Sequence, residues 1–373
     1  MLAQTERHPH ARAVLTAALP PGGHASHAYL FHGPAGSGKR SAARAFAAEL
    51  LADGARDPAN ARERVQHGVH PDLTWVAPSG AAVMRVEDID ESVVASVHRT
   101  PFEARRRVFV LERVETMNDQ AANRMLKTLE EPPAFAHLVL LSDRPGEVLP
   151  TIASRCQHVR FDALPADDIA ALLGTRGIAD PATAQACARL ALGDADRALA
   201  LALGDGPGLR AGAEAYARAC VNGALVSAPW AGVLDQARRH GSTAETAVAE
   251  RVAETLDLLP RKERKRAERE GGETAKRAGR RARTSALDLS LQLAGLWFRD
   301  VACVVDGAPE LAHHADRASA LADAAAGFAT AHRLRDATAI VDEARAALVQ
   351  VNPTEELLLE ALASRLQRTL AVG

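Results

Sequence analysis

A glycine-rich loop ending in a lysine is the segment of this chain best suited to chemistry. Residues 33–40 read GPAGSGKR, after an apolar run and at the start of a helical pattern. Glycines let backbone N–H groups turn around phosphate oxygens, the helix N-terminus adds a partial positive charge, and the lysine adds a full one. The spacing predicts a phosphate-binding loop formed by Gly33, Gly36, Gly38 and Lys39, against the alternative of a glycine-rich turn that matches by chance.

The position after the lysine lacks the hydroxyl that such loops use to bind Mg²⁺. Serine or threonine is expected there, but this chain has Arg40, a cation close to where the metal would lie. Ser41 comes one residue later, about 100° further around the helix axis. We therefore predict no metal site, and weak binding of ATP or ADP at most.

The acidic residues of a phosphoryl-transfer site are also incomplete. The apolar run at 108–111 is followed by Glu112 and Arg113. Glu112 could replace the aspartate that holds Mg²⁺ in such sites. Arg113 stands where a water-activating residue is expected, and a permanent cation accepts no proton. Two changes in one site predict a degenerate nucleotide site rather than an efficient ATPase.

Short apolar runs alternate with helical patterns over the first 160 or so residues, and these elements must position the loop. Such alternation predicts a parallel sheet with helices on both faces, because central parallel strands are continuous apolar runs. The runs lie at 28–31, 73–76, 108–111, 138–141 and 159–161, and the helical patterns between them include 40–51 and 89–97.

The strand pattern ends after residue 165. Residues 166–203 predict three short helices, a glycine-rich break follows at 204–208, and the remainder is almost wholly helical in pattern. The chain is therefore predicted to have an α/β module at 1–163, a small helical lid at 164–205 and a helical domain at 206–373. The last helix is expected to begin at Asn352 and Pro353, with the asparagine as its cap.

The overall composition argues against several classes of protein. The 373 residues include 45 Lys and Arg against 47 Asp and Glu, a net charge of −2 that favours neither nucleic acid nor membrane as a partner of the whole surface. No apolar run approaches the roughly 18 residues of a membrane span, and the first residues do not resemble a signal peptide. The four cysteines form no CxxC pair, which suits a cytoplasmic protein without a disulfide framework.

One local stretch is strongly basic. Residues 261–283 contain 11 Lys and Arg and 4 Asp and Glu, a net charge of +7. Such a stretch could follow the phosphates of DNA. It has no aromatic side chain to stack on bases, and Gly271 and Gly272 interrupt it, so the sequence favours a solvated helix pair.

Four motifs follow one another in a specific order and spacing over residues 27–161. They are HAYLF at 27–31, HPD at 70–72, NRMLKTLEEPP at 123–133 and LPTIASRCQ at 149–157. In this order they resemble the clamp-loader AAA+ family, and within it the delta-prime branch of bacterial DNA polymerase III. The C-terminal Asn352-Pro353 segment resembles the end of that family's collar domain. The chain differs from many members because residues 51–69 contain no cysteine of a four-cysteine zinc module, so we predict no zinc.

The resemblance implies a P-loop AAA+ module, a lid, and a collar through which subunits form a hetero-pentamer with gamma/tau and delta subunits. Loaders of this type use ATP binding to open a sliding clamp and place it on primer–template DNA. The delta-prime branch implies a non-hydrolysing stator that requires no cofactor and has no membrane partner. The alternatives are a catalytically active, gamma/tau-like ATPase and a phosphate-loop adaptor outside replication.

The resemblance also assigns individual residues. Arg155, in the SRC motif, matches an arginine finger that reaches the γ-phosphate of ATP on a neighbouring subunit, since a guanidinium fork fits phosphate oxygens. The simpler interpretation is a surface arginine in an ion pair. Ser142 matches a polar sensor or is a hydroxyl that ends a strand. Arg197 matches the lid's second sensor, or is a surface arginine paired with Asp194 or Asp196.

Overall fold

The computed structural model describes residues 5–20, 22–78, 84–178, 180–257, 261–350 and 353–371. The chain divides into two compact units. One comprises Met1–Pro165 and Gly193–Ala195, and the other comprises Ala166–Leu192 and Asp196–Gly373. The division into three domains stays a prediction.

A five-stranded parallel sheet forms the centre of the first unit, in the order β2-β3-β4-β1-β5. Every residue of β4 is buried, as expected for the middle strand of a sheet covered on both faces. The predicted parallel α/β module is therefore confirmed, with each apolar run inside or within one residue of a strand. The strands are β1 (Ala28–His32), β2 (Leu73–Val76), β3 (Arg107–Leu111), β4 (Ala136–Ser142) and β5 (Gln157–Arg160).

Alternate strand residues enter two separate cores, because successive side chains of a strand point to opposite faces. Phe31 and Val139 pack with α1 and α2, whereas Leu30 and Leu138 pack with α4 and α6. The helices of this unit are α1 (Pro9–Ala18), α2 (Lys39–Ala52), α3 (Pro58–Gln66), α4 (Val86–Ile89), α5 (Ala95–Val97), α6 (Asp119–Glu130) and α7 (Pro150–Ala153), with 3₁₀ turns at Val114–Thr116 and Pro145–Glu147.

The helix predicted at 89–97 differs from the observed one. Helix α4 begins earlier, and a π-helical turn, Asp90–Val94, separates it from α5. Ile89, Val93 and Val97 are nevertheless all fully buried. The apolar spacing thus predicted the buried face, and the wider turn was not visible in it.

The HPD motif has a structural role in the first unit. The carboxylate of Asp72 is 1% exposed and accepts hydrogen bonds from the backbone N–H groups of Phe102 (2.6 Å), Glu103 (2.9 Å) and Ala104 (2.9 Å). Hydrogen bonds to a charged group are stronger than neutral ones. Asp72 therefore fixes the loop that enters β3.

The described part of the second unit is helical, as predicted. Trp297 and Phe298 on α13 are fully buried at its centre. In the described residues, no helix combines the length and the apolar character needed to cross a membrane. The helices are α8 (Ala166–Thr175), α9 (Pro181–Leu190), α10 (Ala195–Ala202), α11 (Gly206–Val221), α12 (Trp230–Asp257), α13 (Arg261–Val305), α14 (Ala318–Ala325), α15 (His332–Gln350) and α16 (Glu355–Leu370).

The last helix begins later than the sequence indicated. Helix α16 starts at Glu355, with Thr354 at the N-cap position and no side-chain cap. The predicted cap, Asn352, lies outside the described residues. Pro353 precedes the helix by two residues instead of occupying its first turn.

A buried carboxylate joins α13 to the segment before α14. Asp300 is fully buried and accepts hydrogen bonds from the backbone N–H groups of His313 (2.9 Å) and His314 (2.8 Å). Its oxygens also lie 2.7 Å from Nδ1 of His314 and 3.1 Å from Nδ1 of His313. Burial by itself would raise the pKa of Asp300, but these hydrogen bonds hold that pKa well below its ordinary value.

Candidate functional site

The glycine-rich loop connects β1 to α2 and depends on its glycines. Gly36 and Gly38 have φ angles of 65° and 85°, which favour residues without a side chain. A Cβ atom at Gly36 would lie 1.8 Å from Oδ1 of Asp194, and one at Gly33 would lie 1.9 Å from the carbonyl oxygen of Phe161. The loop thus has the backbone conformation and the helix N-terminus that suit a phosphate.

Lys39 turns back into this loop. Its side chain is 5% exposed, and Nζ donates to the carbonyl oxygens of Gly33 (2.7 Å) and Pro34 (2.6 Å). Nζ also lies 2.7 Å from Oδ1 of Asp143. The ammonium group is therefore already paired with a carboxylate of the same chain, and a phosphate would compete with Asp143 for it.

Arg40 pairs with Glu112, the carboxylate expected to hold a metal ion in such a site. Its Nε is 2.8 Å from Oε1 of Glu112, and Nε1 of Trp75 donates to the same oxygen at 2.5 Å. The guanidinium group supplies the positive charge beside Glu112 that Mg²⁺ would supply, and no hydroxyl follows Lys39. These residues fit a phosphate group but do not fit a Mg²⁺ ion.

Arg113, the second basic replacement, adopts a left-handed backbone conformation with φ 55° and ψ 46°. Its carbonyl oxygen accepts hydrogen bonds from the hydroxyl (2.7 Å) and the backbone N–H (2.9 Å) of Thr116. A residue other than glycine in the left-handed conformation costs about 1–3 kcal/mol and persists where the surrounding structure stabilises it. The two hydrogen bonds from Thr116 stabilise this conformation, in which the chain turns sharply directly after Glu112.

Ser142 ends β4 and is 1% exposed. Its hydroxyl accepts a hydrogen bond from the backbone N–H of Arg144 at 3.2 Å. In the parallel register Ser142 is opposite His32, the last residue before the loop. The structure therefore brings Ser142 to the edge of the sheet where the loop lies, and its function as a sensor stays a prediction.

Sequence reasoning missed two residues at this edge. Asp143, which pairs with Lys39, follows a buried strand directly, and that position was a signal that could have found it. His8 is 2% exposed, and its ring centroid lies 5.0 Å from that of Phe161. Burial lowers the pKa of His8, which favours the neutral imidazole near the ammonium of Lys39. No sequence pattern around His8 indicated this placement.

Arg155 follows α7 and precedes β5. Its Nη2 lies 2.6 Å from Oε1 of Glu130, at the end of α6, and its Nη1 donates to the carbonyl oxygen of Thr151 at 2.9 Å. The side chains of Arg155 and Glu130 are 36% and 48% exposed. An exposed ion pair of this kind contributes about 0–1 kcal/mol, so the guanidinium can exchange Glu130 for a better acceptor. Arg155 thus forms the ion pair expected of an ordinary surface arginine, and its role as an arginine finger stays a prediction.

Arg197 belongs to the second unit. Its Nη1 donates to Oε1 of Gln292 on α13 at 3.0 Å. This contact joins α10 to α13 within that unit. The assignment of Arg197 as a sensor stays a prediction.

The cysteines and possible metal ligands are the remaining groups to place. Burial raises the pKa of the Cys156 and Cys220 thiols to about 12, so both stay protonated at neutral pH. The described part of the chain contains no group of three or more His, Cys, Asp or Glu side chains positioned to hold a metal ion. The absence of zinc and of other metals stays a prediction.

Replacing Asp143 with asparagine should tighten the binding of ADP about tenfold. The substitution removes the carboxylate that competes with phosphate for Lys39, and a gain of about 1.4 kcal/mol corresponds to a factor of ten. Calorimetric titration with ADP in the presence of EDTA measures this directly. The control Glu147→Gln removes an exposed carboxylate that pairs with Arg144 and should leave ADP affinity unchanged. Equal or weaker binding by the Asp143 variant would contradict the competition.

Comparison with known proteins gives sequence matches to one group of proteins. A family described as DNA polymerase III, delta subunit, matches residues 8–165. DNA polymerase III subunit delta' of Pseudomonas aeruginosa is 42% identical over 137 residues, which are 35% of this chain and 42% of that protein. Subunit delta' of Bacillus subtilis is 34% identical over 143 residues, 37% of this chain and 43% of that protein. The chain thus matches about two fifths of the length of these curated relatives.

Proteins named gamma/tau subunits and solved structures are also similar to this chain. DNA polymerase III subunit gamma/tau of Mycobacterium tuberculosis is 34% identical over 174 residues, 44% of this chain and 29% of that protein. A crystal structure of a DNA polymerase III gamma-subunit-related protein from Thermotoga maritima aligns over 97% of this chain and 98% of that chain. The sequence identity is 16% and the TM-score is 0.44.

Proposed function

We propose that this chain, whose residues 8–165 match a family described as DNA polymerase III, delta subunit, is the delta-prime subunit of a DNA polymerase III clamp loader. In this proposal it is a stator that does not hydrolyse ATP itself. It supplies Arg155 to the ATP site of a neighbouring motor subunit while the sliding clamp is loaded onto primed DNA.

The ion pair between Arg40 and Glu112 is the observation that carries the non-hydrolysing part of this proposal. A permanent cation is 2.8 Å from the carboxylate that would otherwise hold Mg²⁺. Phosphoryl transfer depends on positioning and on neutralising charge with the metal ion. A site in which arginine replaces the metal lacks that contribution, and Arg113 lacks the capacity to activate water.

The exposure of Arg155 supports its role as a finger. Its guanidinium group is held at the surface by one exposed carboxylate, Glu130, and one carbonyl oxygen. A phosphate offers two or three oxygens to the same fork of donors and is a stronger partner than a single exposed carboxylate. Arg155 can therefore act on a nucleotide bound by another chain while its own loop stays inactive.

The partners follow from the same proposal. We propose gamma/tau and delta subunits as neighbours in a hetero-pentamer, with the sliding clamp and primer–template DNA as its substrates, in the cytoplasm. Relatives named as delta' and gamma/tau subunits support a place within such a complex. The loop is compatible with bound ADP or ATP, and the proposed stator function requires neither nucleotide.

A gamma/tau-like motor ATPase is the second candidate function. The match to gamma/tau subunits, the spacing of the loop glycines and the presence of Lys39 favour it. The two candidates differ in whether this chain alone turns over ATP.

The isolated chain should hydrolyse ATP in the presence of Mg²⁺ at least about 10³-fold more slowly than the roughly 10 s⁻¹ typical of enzymes. The physical reason is the replacement of metal ligand and base by Arg40 and Arg113. A coupled phosphate-release assay measures the rate, with Lys39→Ala as the matched control for contaminating activity. Hydrolysis at an ordinary rate that disappears in Lys39→Ala would establish the motor function instead.

A further inference from the structure

The paired helices α12 and α13 extend beyond the core of the second unit. The buried core of that unit includes α12 only up to Ala237 and α13 only from Ala286 onward. We call residues 238–257 and 261–281 the arm. In the described residues of the arm, Ala275 is the one buried hydrophobic side chain. The arm therefore lies outside the core, and most of its side chains are available for contact with another molecule.

Glycines hold the two helices of the arm close together. A Cβ atom at Gly241 would lie 3.0 Å from the carbonyl oxygen of Gly279, and one at Gly271 would lie 2.3 Å from Cγ1 of Val252. Small residues at a helix contact allow the backbones to approach. The arm is thus a pair of helices whose backbones approach closely at these glycines.

The outer side of α13 in the arm carries unpaired cations. Arg269, Lys276 and Arg280 are exposed and are seven and four residues apart, which places them on one face of the helix. Eleven residues of helix place the first and last about 16 Å apart. None of the three forms an ion pair with another residue that the structure describes. Residues 238–257 of α12, the helix that packs against α13, have a net charge of −1. The basic charge of the arm is therefore concentrated on α13.

We propose that this face of the arm binds the phosphate backbone of duplex DNA without reading its sequence. Duplex DNA carries about one negative charge per 1.7 Å of helix axis, so a 16 Å row of cations can contact several phosphates. No Phe, Trp or Tyr occurs between Trp230 and Trp297. The arm thus lacks aromatic side chains, both as platforms for single-stranded bases and as anchors in a membrane surface.

The test is binding of the full chain to a fluorescent duplex of about 30 base pairs, followed by anisotropy, without ATP or other subunits. The variant is R269Q/K276Q/R280Q. Three lost phosphate contacts should reduce the slope of log affinity against log salt by about 2.7. Between 50 and 200 mM salt the wild-type affinity should therefore fall about 40-fold more than that of the variant.

The matched control is R218Q/R335Q/R365Q, which changes the net charge equally. These exposed arginines are paired with Glu214, Asp306 and Glu343 and lie outside the arm. The control should bind duplex within about twofold of wild type, because paired cations release few counterions. Circular dichroism checks the fold of each variant.

The proposal is overturned if wild type does not bind duplex at 50 mM salt, or if the arm variant keeps the wild-type salt slope. Polyglutamate matched in charge serves as a competitor. Displacement of duplex by polyglutamate at lower charge concentration than by unlabelled duplex would assign the face to an acidic protein instead. Because no ATP or partner subunit is present, this result is independent of the stator function proposed above.

Discussion

Replacing Arg155 with alanine should lower ATP turnover at the adjoining site of a reconstituted clamp loader by about 10³-fold or more. Arginine fingers in related phosphoryl-transfer systems contribute about 10³–10⁵ to the rate, because the guanidinium stabilises charge that develops in the transition state. The measurement is DNA-stimulated phosphate release under single-turnover conditions, which separates the slowed site from the other sites of the assembly.

Three further variants make this result specific. Arg155→Lys keeps the charge but loses the planar fork, so most of the loss should remain. Glu130→Gln removes the ion-pair partner and should preserve turnover, since in the proposed function a phosphate takes the place of Glu130 as acceptor. Arg160→Ala removes another exposed arginine, which pairs with Asp162, and should have no effect.

Stability and assembly separate a finger from a structural arginine. The exposed pair of Arg155 with Glu130 contributes about 0–1 kcal/mol, so the alanine variant should fold and assemble normally. Size-exclusion chromatography of the complex tests this. Normal assembly with an unchanged hydrolysis rate would leave Arg155 as a surface arginine and the chain as a scaffold.

Replacing Asp300 with alanine should lower the free energy of unfolding of the second unit by about 3–5 kcal/mol. The substitution leaves two buried backbone N–H groups and the side chains of His313 and His314 without their acceptor. For a unit of about 200 residues, the melting temperature should fall by about 10 °C or more. Thermal and denaturant unfolding at pH 7 measure the loss.

The pH dependence provides a second test of the same residue. Because the folded-state pKa of Asp300 is lowered, its contribution to stability is present above the unfolded value of about 3.9 and is lost as pH falls below it. Stability of the wild-type chain should therefore fall more steeply below about pH 4 than that of Asp300→Asn.

An exposed aspartate nearby serves as the control. Asp306 pairs with Arg335 at the surface, and its replacement by alanine should cost less than about 1 kcal/mol. A loss at Asp300 as small as that at Asp306 would show that His313 and His314 find other partners in the variant.

Much of the fold was visible in local sequence patterns. Continuous apolar runs predicted the positions of the five strands, because the central strands β1, β3 and β4 are buried on both faces; the edge strands β2 and β5 are partly exposed. The replacement of the loop hydroxyl by Arg40 was equally local, because spacing from Lys39 determines which position faces a metal. The π-helical turn at Asp90–Val94 was not visible, since it leaves the apolar spacing almost unchanged.

The tertiary structure alone decided which charges neutralise one another. Lys39 meets Asp143 because β1 and β4 are adjacent and their ends align. Arg40, which follows β1, meets Glu112, which follows β3, because these two strands lie on either side of β4 and all three end at the same edge of the sheet. Strand order is a property of the whole sheet, and the apolar pattern of one strand does not reveal which strand lies next to it in the sheet. The sequence by itself therefore determined most of the elements and the replacement of the loop hydroxyl by Arg40, whereas the folded sheet determined that carboxylates from distant strands pair with the cations of the loop.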